Sequence, residues 1–94
     1  MRFVKQTHAF KKDLKRESFG RFKMILKEEL WDIVNTLAKD IPLPAKYNDH
    51  ALTGNWKDHR ECHIRQDFLL IYLKTDENIL YLVRLGSHSE VLKI

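Results

Sequence analysis

The sequence predicts an α+β domain in which two helices pack on one face of a mainly antiparallel four-stranded sheet, in the order β-α-α-β-β-β. Three observations predict it. Polar and apolar residues alternate at the start of the chain, apolar residues recur every three or four positions through the next thirty or so, and apolar segments separated by turn residues close it. With 94 residues there is room for one core, so residues 1–94 are expected to form a single domain.

Arg2-Phe3-Val4-Lys5 alternates at period two and reads as the first strand. Thr7 follows as a helix cap, and Phe10 and Leu14, four apart, give that helix its apolar side while Lys11, Lys12, Lys15 and Arg16 lie mainly on the rest of its surface. Ser18-Phe19-Gly20 interrupts the pattern. A second, longer helix is predicted from Arg21 to Ala38, because Phe22, Leu26, Leu30, Ile33, Val34 and Leu37 fall on one stripe. Pro42 and Pro44 end it, since neither has an amide donor and each disfavours helical geometry in the residue before it. An irregular connection carrying His50 then runs to Trp56. Strands are predicted over Lys57–Arg65, Phe68–Lys74 and Ile79–Gly86. The middle one is almost continuously apolar, as for a strand buried on both faces, and Thr75-Asp76-Glu77-Asn78 turns the chain into the last. The sheet face opposite the helices is expected to be free for binding.

Composition narrows the function classes. Seventeen Lys and Arg against thirteen Asp and Glu give a net charge of +4, which favours an acidic partner such as nucleic acid but also suits simple solubility. No apolar run approaches the roughly 20 residues that cross a bilayer. Cys62 is the sole cysteine, and no basic and apolar leader precedes the domain, so a reducing cytoplasmic setting without a membrane is expected.

The chemistry-bearing residues cluster in the second half. Alternation puts Glu61, His63 and Arg65 on one side of their strand, with Cys62 and Ile64 turned towards the core. In the last strand Ile79, Tyr81, Val83 and Leu85 are expected on one face, and Leu80, Leu82 and Arg84 on the other. Gly86 allows a sharp exit that leaves Ser87 and His88 just beyond the sheet. With His50 and Asp67 this makes a set of imidazoles, carboxylates and one guanidinium suited to phosphodiester cleavage. A base takes the proton of a ribose 2′-hydroxyl, an acid protonates the departing 5′-oxygen, and a cation meets the charge on phosphorus.

Plainer roles stay open for each residue. His50 can be a solvated loop residue, His63 can satisfy a buried acceptor, and His8 and His59 fall in the same class. Asp67 can cap a turn, and Arg84 can pair with Glu61 or Asp67. His50, His63, Asp67 and His88 could also ligate zinc, although paired cysteines and an HExxH helix are both missing, so no metal or other cofactor is expected. Cys62, facing the interior, is a poor nucleophile.

The segments Ile41-Pro42-Leu43-Pro44, Tyr47 to Lys57 with its D-H-x-L-x-G-x-W-K pattern, Arg60 to Tyr72 with H-x-x-x-D, and Arg84-Leu85-Gly86-Ser87-His88 resemble the YafQ branch of the RelE/ParE toxin superfamily. The resemblance is dense from Ile41 to His88 and rests on helix pattern before that. It implies a small RelE-like fold and a bacterial type II toxin that cuts messenger RNA in the ribosomal decoding site, leaving a 2′,3′-cyclic phosphate and a 5′-hydroxyl without a metal. A cognate antitoxin would silence it. Carried over by position, the implied active site is His50, His63, Asp67, Arg84 and His88. His88 and His50 would transfer protons with help from Asp67, Arg84 would hold the scissile phosphate, and His63 would position the RNA.

Glu61 stands where the family usually has Asp, and is expected at the RNA contact without a settled direct role. Phe68 replaces a Trp and is expected to stack on a base. Val91-Leu92-Lys93-Ile94 lacks the aromatic residue expected near the C-terminus. Lys11, Lys12, Lys15, Arg16, Lys57 and Arg60 are candidates for contact with ribosomal RNA. Two alternatives are a ParE-like member that grips a protein such as gyrase without cutting, and a ribonuclease independent of the ribosome.

Overall fold

The computed structural model describes residues 1–92, so Lys93 and Ile94 at the end of the aromatic-free terminus lie outside the described residues. The chain runs β1 (Phe3–Gln6), α1 (His8–Glu17), α2 (Lys23–Ile25), a π-helical turn (Leu26–Leu30), α3 (Trp31–Ala38), β2 (His50–Ala51), β3 (Arg60–Arg65), β4 (Phe68–Lys74), β5 (Ile79–Gly86) and α4 (His88–Val91). The sheet has five strands in the order β1-β5-β4-β3-β2, with β1 parallel to β5 and the other pairs antiparallel.

The expected α+β architecture is present, with a fifth strand added. β2 comes from the long connection, where His50 and Ala51 pair with Glu61 and Arg60 at the sheet edge. Two residues are too few for a period-two pattern, so only the ladder reveals them. The same connection is broken by 3₁₀ turns at Ala45–Tyr47 and Gly54–Trp56. Those turns leave β3 starting at Arg60, three residues later than expected.

Thr7 caps α1, its Oγ1 accepting from the Phe10 N–H at 3.0 Å and donating to the Val83 carbonyl at 2.8 Å, which ties the helix start to β5. The second helix begins at Lys23, and its middle five residues form a wider turn. One extra residue in a turn hardly alters a spacing of three and four, so the periodicity could not show it. Leu26, Leu30, Ile33, Val34 and Leu37 pack with Phe10 from α1 on the helix-facing side of the sheet, against Cys62, Ile64, Phe68, Leu70, Tyr72, Leu80, Leu82 and Leu85.

Leu85 corrects the face expected for it. Tyr72 lies opposite Leu82 while Ile71 lies opposite Arg84, so Val83 is bulged out and the alternation resets after it. Leu85 therefore joins Leu80 and Leu82 in the core. The far face is also less open than expected, because Leu69, Ile71 and Val91 form a second cluster with Leu52, Trp56, Val83 and Leu92 packed against it. α4 exists because Ser87 and Glu90 cap each other: Ser87 Oγ accepts from the Glu90 N–H and Glu90 Oε1 accepts from the Ser87 N–H.

Candidate active site

Three imidazoles meet one carboxylate oxygen. Glu61 Oε1 lies 3.0 Å from His50 Nε2, 3.1 Å from His63 Nε2 and 3.8 Å from His88 Nε2. Glu61 and His63 reach this point from alternate positions of β3, His50 comes from β2 directly opposite Glu61, and His88 from the first residue of α4. The rings sit close, with centroids 5.7 Å apart for His50 and His63 and 5.4 Å for His63 and His88.

Backbone carbonyls fix two of these rings. His50 Nδ1 donates to the Asn48 carbonyl at 2.7 Å, and His63 Nδ1 donates to the Gln66 carbonyl at 3.2 Å. Both nitrogens of each ring thus face acceptors, which fixes the ring orientations. His88 is held differently. Asp67 Oδ1 receives its backbone N–H at 3.1 Å and its Nδ1–H at 3.2 Å, leaving Nε2 to face the cluster. Those hydrogen bonds, the backbone one first, hold the Asp67 carboxyl below its ordinary range.

Glu61 is only 3% exposed, and its Oε2 is buried without a hydrogen-bond partner among the described residues. Here the expectation of a surface RNA contact gives way, because Glu61 is the centre that the histidines share. Its place two residues from His63 was the signal, and alternation put the pair on one face.

His50, Glu61 and His63 could also hold a metal ion, each offering one atom within 4.8 Å of the others. Asp67 is not part of that group, so the zinc set drawn from His50, His63, Asp67 and His88 is replaced by one built on Glu61.

Arg84 stands in the same cross-strand row as Glu61 and His50, joined to them through Ile71, and makes no hydrogen bond to the histidines among the described residues. Its guanidinium grips Asp13 of α1, Nε to Oδ2 at 2.7 Å and Nη2 to Oδ1 at 3.1 Å, and Nη2 also donates to the Glu90 carbonyl at 3.4 Å. The partner is therefore Asp13, neither Glu61 nor Asp67. Nη1 takes no partner among the described residues. Asp13, 2% exposed, also accepts from Arg16 Nη1 at 2.8 Å and from the Leu85 N–H at 2.9 Å. Burial raises the Asp13 pKa, but the hydrogen bonds from Arg84, Leu85 and Arg16 outweigh it and the net shift is downward. Sequence gave no sign of this residue's importance, since it is one acid on a lysine-rich helix.

Several expected RNA contacts are corrected. Phe68 is fully buried, its ring stacked on Phe22 at 4.4 Å, so it cannot stack on a base. Arg16 is committed to Asp13, Glu17, Glu90 and the Leu85 carbonyl. Arg60 lies on the other face from Glu61, and its Nε meets Asp49 at 3.2 Å and the Tyr72 hydroxyl at 3.3 Å. Lys11, Lys12, Lys15 and Lys57 remain exposed. Cys62 is buried as expected, and burial pushes its thiol up to about 12, which removes it as a nucleophile.

A model of the bacterial toxin YafQ of type II toxin-antitoxin systems matches residues 2–93. The mRNA interferase toxin YafQ of Escherichia coli is 47% identical over 49 residues, covering 52% of this chain and 52% of that protein. The alignments span between 52% and 59% of the length of the curated relatives. A copper-bound mutant toxin from Helicobacter pylori is 40% identical with a TM-score of 0.79, covering 97% of this chain and 99% of that one. The E. coli DinJ-YafQ toxin-antitoxin complex contains a chain 31% identical with a TM-score of 0.78, covering 96% of each.

Proposed function

Because the chain belongs to the YafQ family of bacterial toxins from type II toxin-antitoxin systems, we propose that it is an endoribonuclease that cuts messenger RNA on the ribosome and is neutralised by a cognate antitoxin. The observation that carries this reading is the convergence of His50, His63 and His88 on Glu61 Oε1. Glu61 is buried at the centre of the cluster and acts through the rings it holds, so the half-exposed His50 draws the proton from the ribose 2′-hydroxyl as that oxygen attacks phosphorus. His63, held by Glu61 and the Gln66 carbonyl, positions the RNA. His88, oriented by Asp67, delivers its Nε2 proton to the departing 5′-oxygen. The products are a 2′,3′-cyclic phosphate and a 5′-hydroxyl. The sequence-based pairing of His50 and His88 as proton carriers is kept, with the base and the acid assigned. Arg84 meets the charge on the phosphorane through Nη1, the edge Asp13 leaves uncovered.

The same atoms favour a second use of the cluster. If His50 and His63 are neutral, each Nδ1–H stays on its carbonyl and both Nε2 lone pairs converge beside Glu61 Oε1, a tetrahedral-type set with outer hydrogen bonds in place. A toxin from Helicobacter pylori similar to this chain is copper-bound. An ion held by His50, His63 and Glu61 would occupy the His50 nitrogen that takes the proton, so it would inhibit.

The test is a nucleotide-resolution map of cuts on a translating messenger, with naked RNA as control. Wild type is expected to cut in phase with codons, and His50→Ala and His88→Ala to lose roughly 10²–10⁴-fold in rate. Added Zn²⁺ is expected to suppress cutting, and EDTA to restore it. Cutting of naked RNA alone points to the ribosome-independent enzyme, and no cutting by folded wild type points to the ParE-like, protein-gripping alternative.

A further inference from the structure

A cleft of about 450 Å³ opens beside His63, walled by Lys46, Tyr47, Asn48, Arg65 and Gln66. Its volume lies within the roughly 300–1,000 Å³ usual for small-molecule sites. Its chemistry divides in a definite way. Arg65 is occupied, both terminal nitrogens being paired with Glu29 at 2.8 and 2.9 Å, and the Tyr47 hydroxyl also donates to Glu29 at 3.3 Å. The back wall is therefore a neutralised charge pair with an aromatic ring. Lys46 Nζ lies over the Tyr47 ring, 5.1 Å from its centroid, at the rim. Asn48 and Gln66 are exposed, and their side-chain amides form no hydrogen bond among the described residues. Each carries a donor and an acceptor, the combination that reads the edge of a base.

Asn48 and Gln66 have a second connection to the site. Through their backbone carbonyls these two residues hold His50 and His63, at 2.7 and 3.2 Å. Asn48 sits in the left-handed region at φ 45, which turns its carbonyl towards His50 while the side chain lines the cleft.

We propose that this cleft is a nucleobase subsite next to the scissile phosphate, with Asn48 and Gln66 as its specificity-determining residues. The proposal rests on the endoribonuclease reading and adds where a neighbouring base is read. Seating a base against the two amides bears on the segments that orient both imidazoles, so recognition and the alignment of the reacting groups are joined in the same two residues.

The experiment uses 2′-O-methyl dinucleotides, which lack the attacking hydroxyl, with each of the four bases in turn at either position beside the phosphate. Binding to the whole chain is followed by NMR of the side-chain amides. The Asn48 and Gln66 NH₂ signals are expected to shift, and affinity to favour one base at one position. Asn48→Ala and Gln66→Ala are each expected to reduce that preference by roughly 5- to 100-fold, the range of a bidentate base contact, with little change for the disfavoured bases. Absence of binding, unshifted amides, or the same base preference in both variants overturns the proposal. Failure of the enzyme reading looks different: the preferred sequence binds with these signatures, yet its all-ribose form is not cut, on or off the ribosome.

Discussion

Asp13 shows how much a single side chain can hold. It is buried on α1 and accepts from Arg84, Arg16 and the Leu85 N–H at once, so replacing it leaves the Leu85 N–H without a partner, takes the carboxylate from Arg84 and removes one of four partners of Arg16. Asp13→Ala is expected to cost about 3 kcal/mol, near the lower end for breaking a buried pair because the two arginines are partly exposed. Equilibrium urea unfolding measures it. The carboxyl pKa is depressed in the folded state, so its stabilisation is complete above the unfolded carboxylate value of about 3.9 and is lost as pH falls through the lower folded value. Wild type is expected to lose stability more steeply than Asp13→Ala as pH falls below about 4; parallel curves would show that another group governs the acid limb. At this scale the sequence was readable where a face decided the outcome. Glu61, His63 and Cys62 all point as strand alternation requires. It was not readable where a partner lay far along the chain, as Asp13 and Arg84 do at 71 residues apart. Phe68 was misjudged for a related reason: its stacking partner is Phe22, on another element, and not a base.

The turn from β5 into α4 is the element on which His88 depends. Gly86 has φ 152, and a Cβ there would stand 2.7 Å from Arg16 Nη2 and 3.0 Å from Glu90 Oε1. Gly86→Ala thus pushes against both the Arg16 contact to the Leu85 carbonyl and the Ser87–Glu90 cap. It is expected to destabilise by about 1–3 kcal/mol, the usual cost of overpacking, and to shift the His88 and Asp67 resonances, which a comparison of NMR spectra with wild type checks. Gly86 as an exit from the strand was legible, since only glycine adopts such geometry easily. The helix after it was not, because four residues give no period; its capping residues Ser87 and Glu90 were the available sign. β2 escaped for the same reason. The Val83 bulge escaped because a bulge is a property of two strands, and neither sequence segment alone carries it.

Across the whole molecule, charge is arranged as two populations. Arg2, Arg16, Arg60, Arg65, Lys74 and Arg84 are paired with carboxylates inside the fold. Lys11, Lys12, Lys15 and Lys57 are left exposed, so the net charge of +4 is presented mainly by lysines. If these touch RNA phosphates, ribosome affinity falls as salt rises. Changing Lys11, Lys12 and Lys15 together to Gln is expected to weaken binding and to reduce the slope of log affinity against log salt by roughly two to three. Filter binding across a salt series measures it, and an unchanged slope assigns these lysines to solvation alone. The overall α+β arrangement was legible because it follows from element type and order. The pairing of β1 with β5 required the folded sheet.

That pairing also bears on how the chain acquires its shape during synthesis. β1 is made first, yet its neighbour in the ladder is β5, and Phe3 waits for Ile79 before its strand is bonded. β5 is itself flanked by β1 and β4, so the sheet has no continuous middle until it arrives. A growing polypeptide of this design cannot acquire the sheet piece by piece from its amino end, and long-range closure of this kind is slow. His88, two residues past β5, follows that closure in order of synthesis, so an incomplete chain on its own ribosome carries no assembled set of imidazoles.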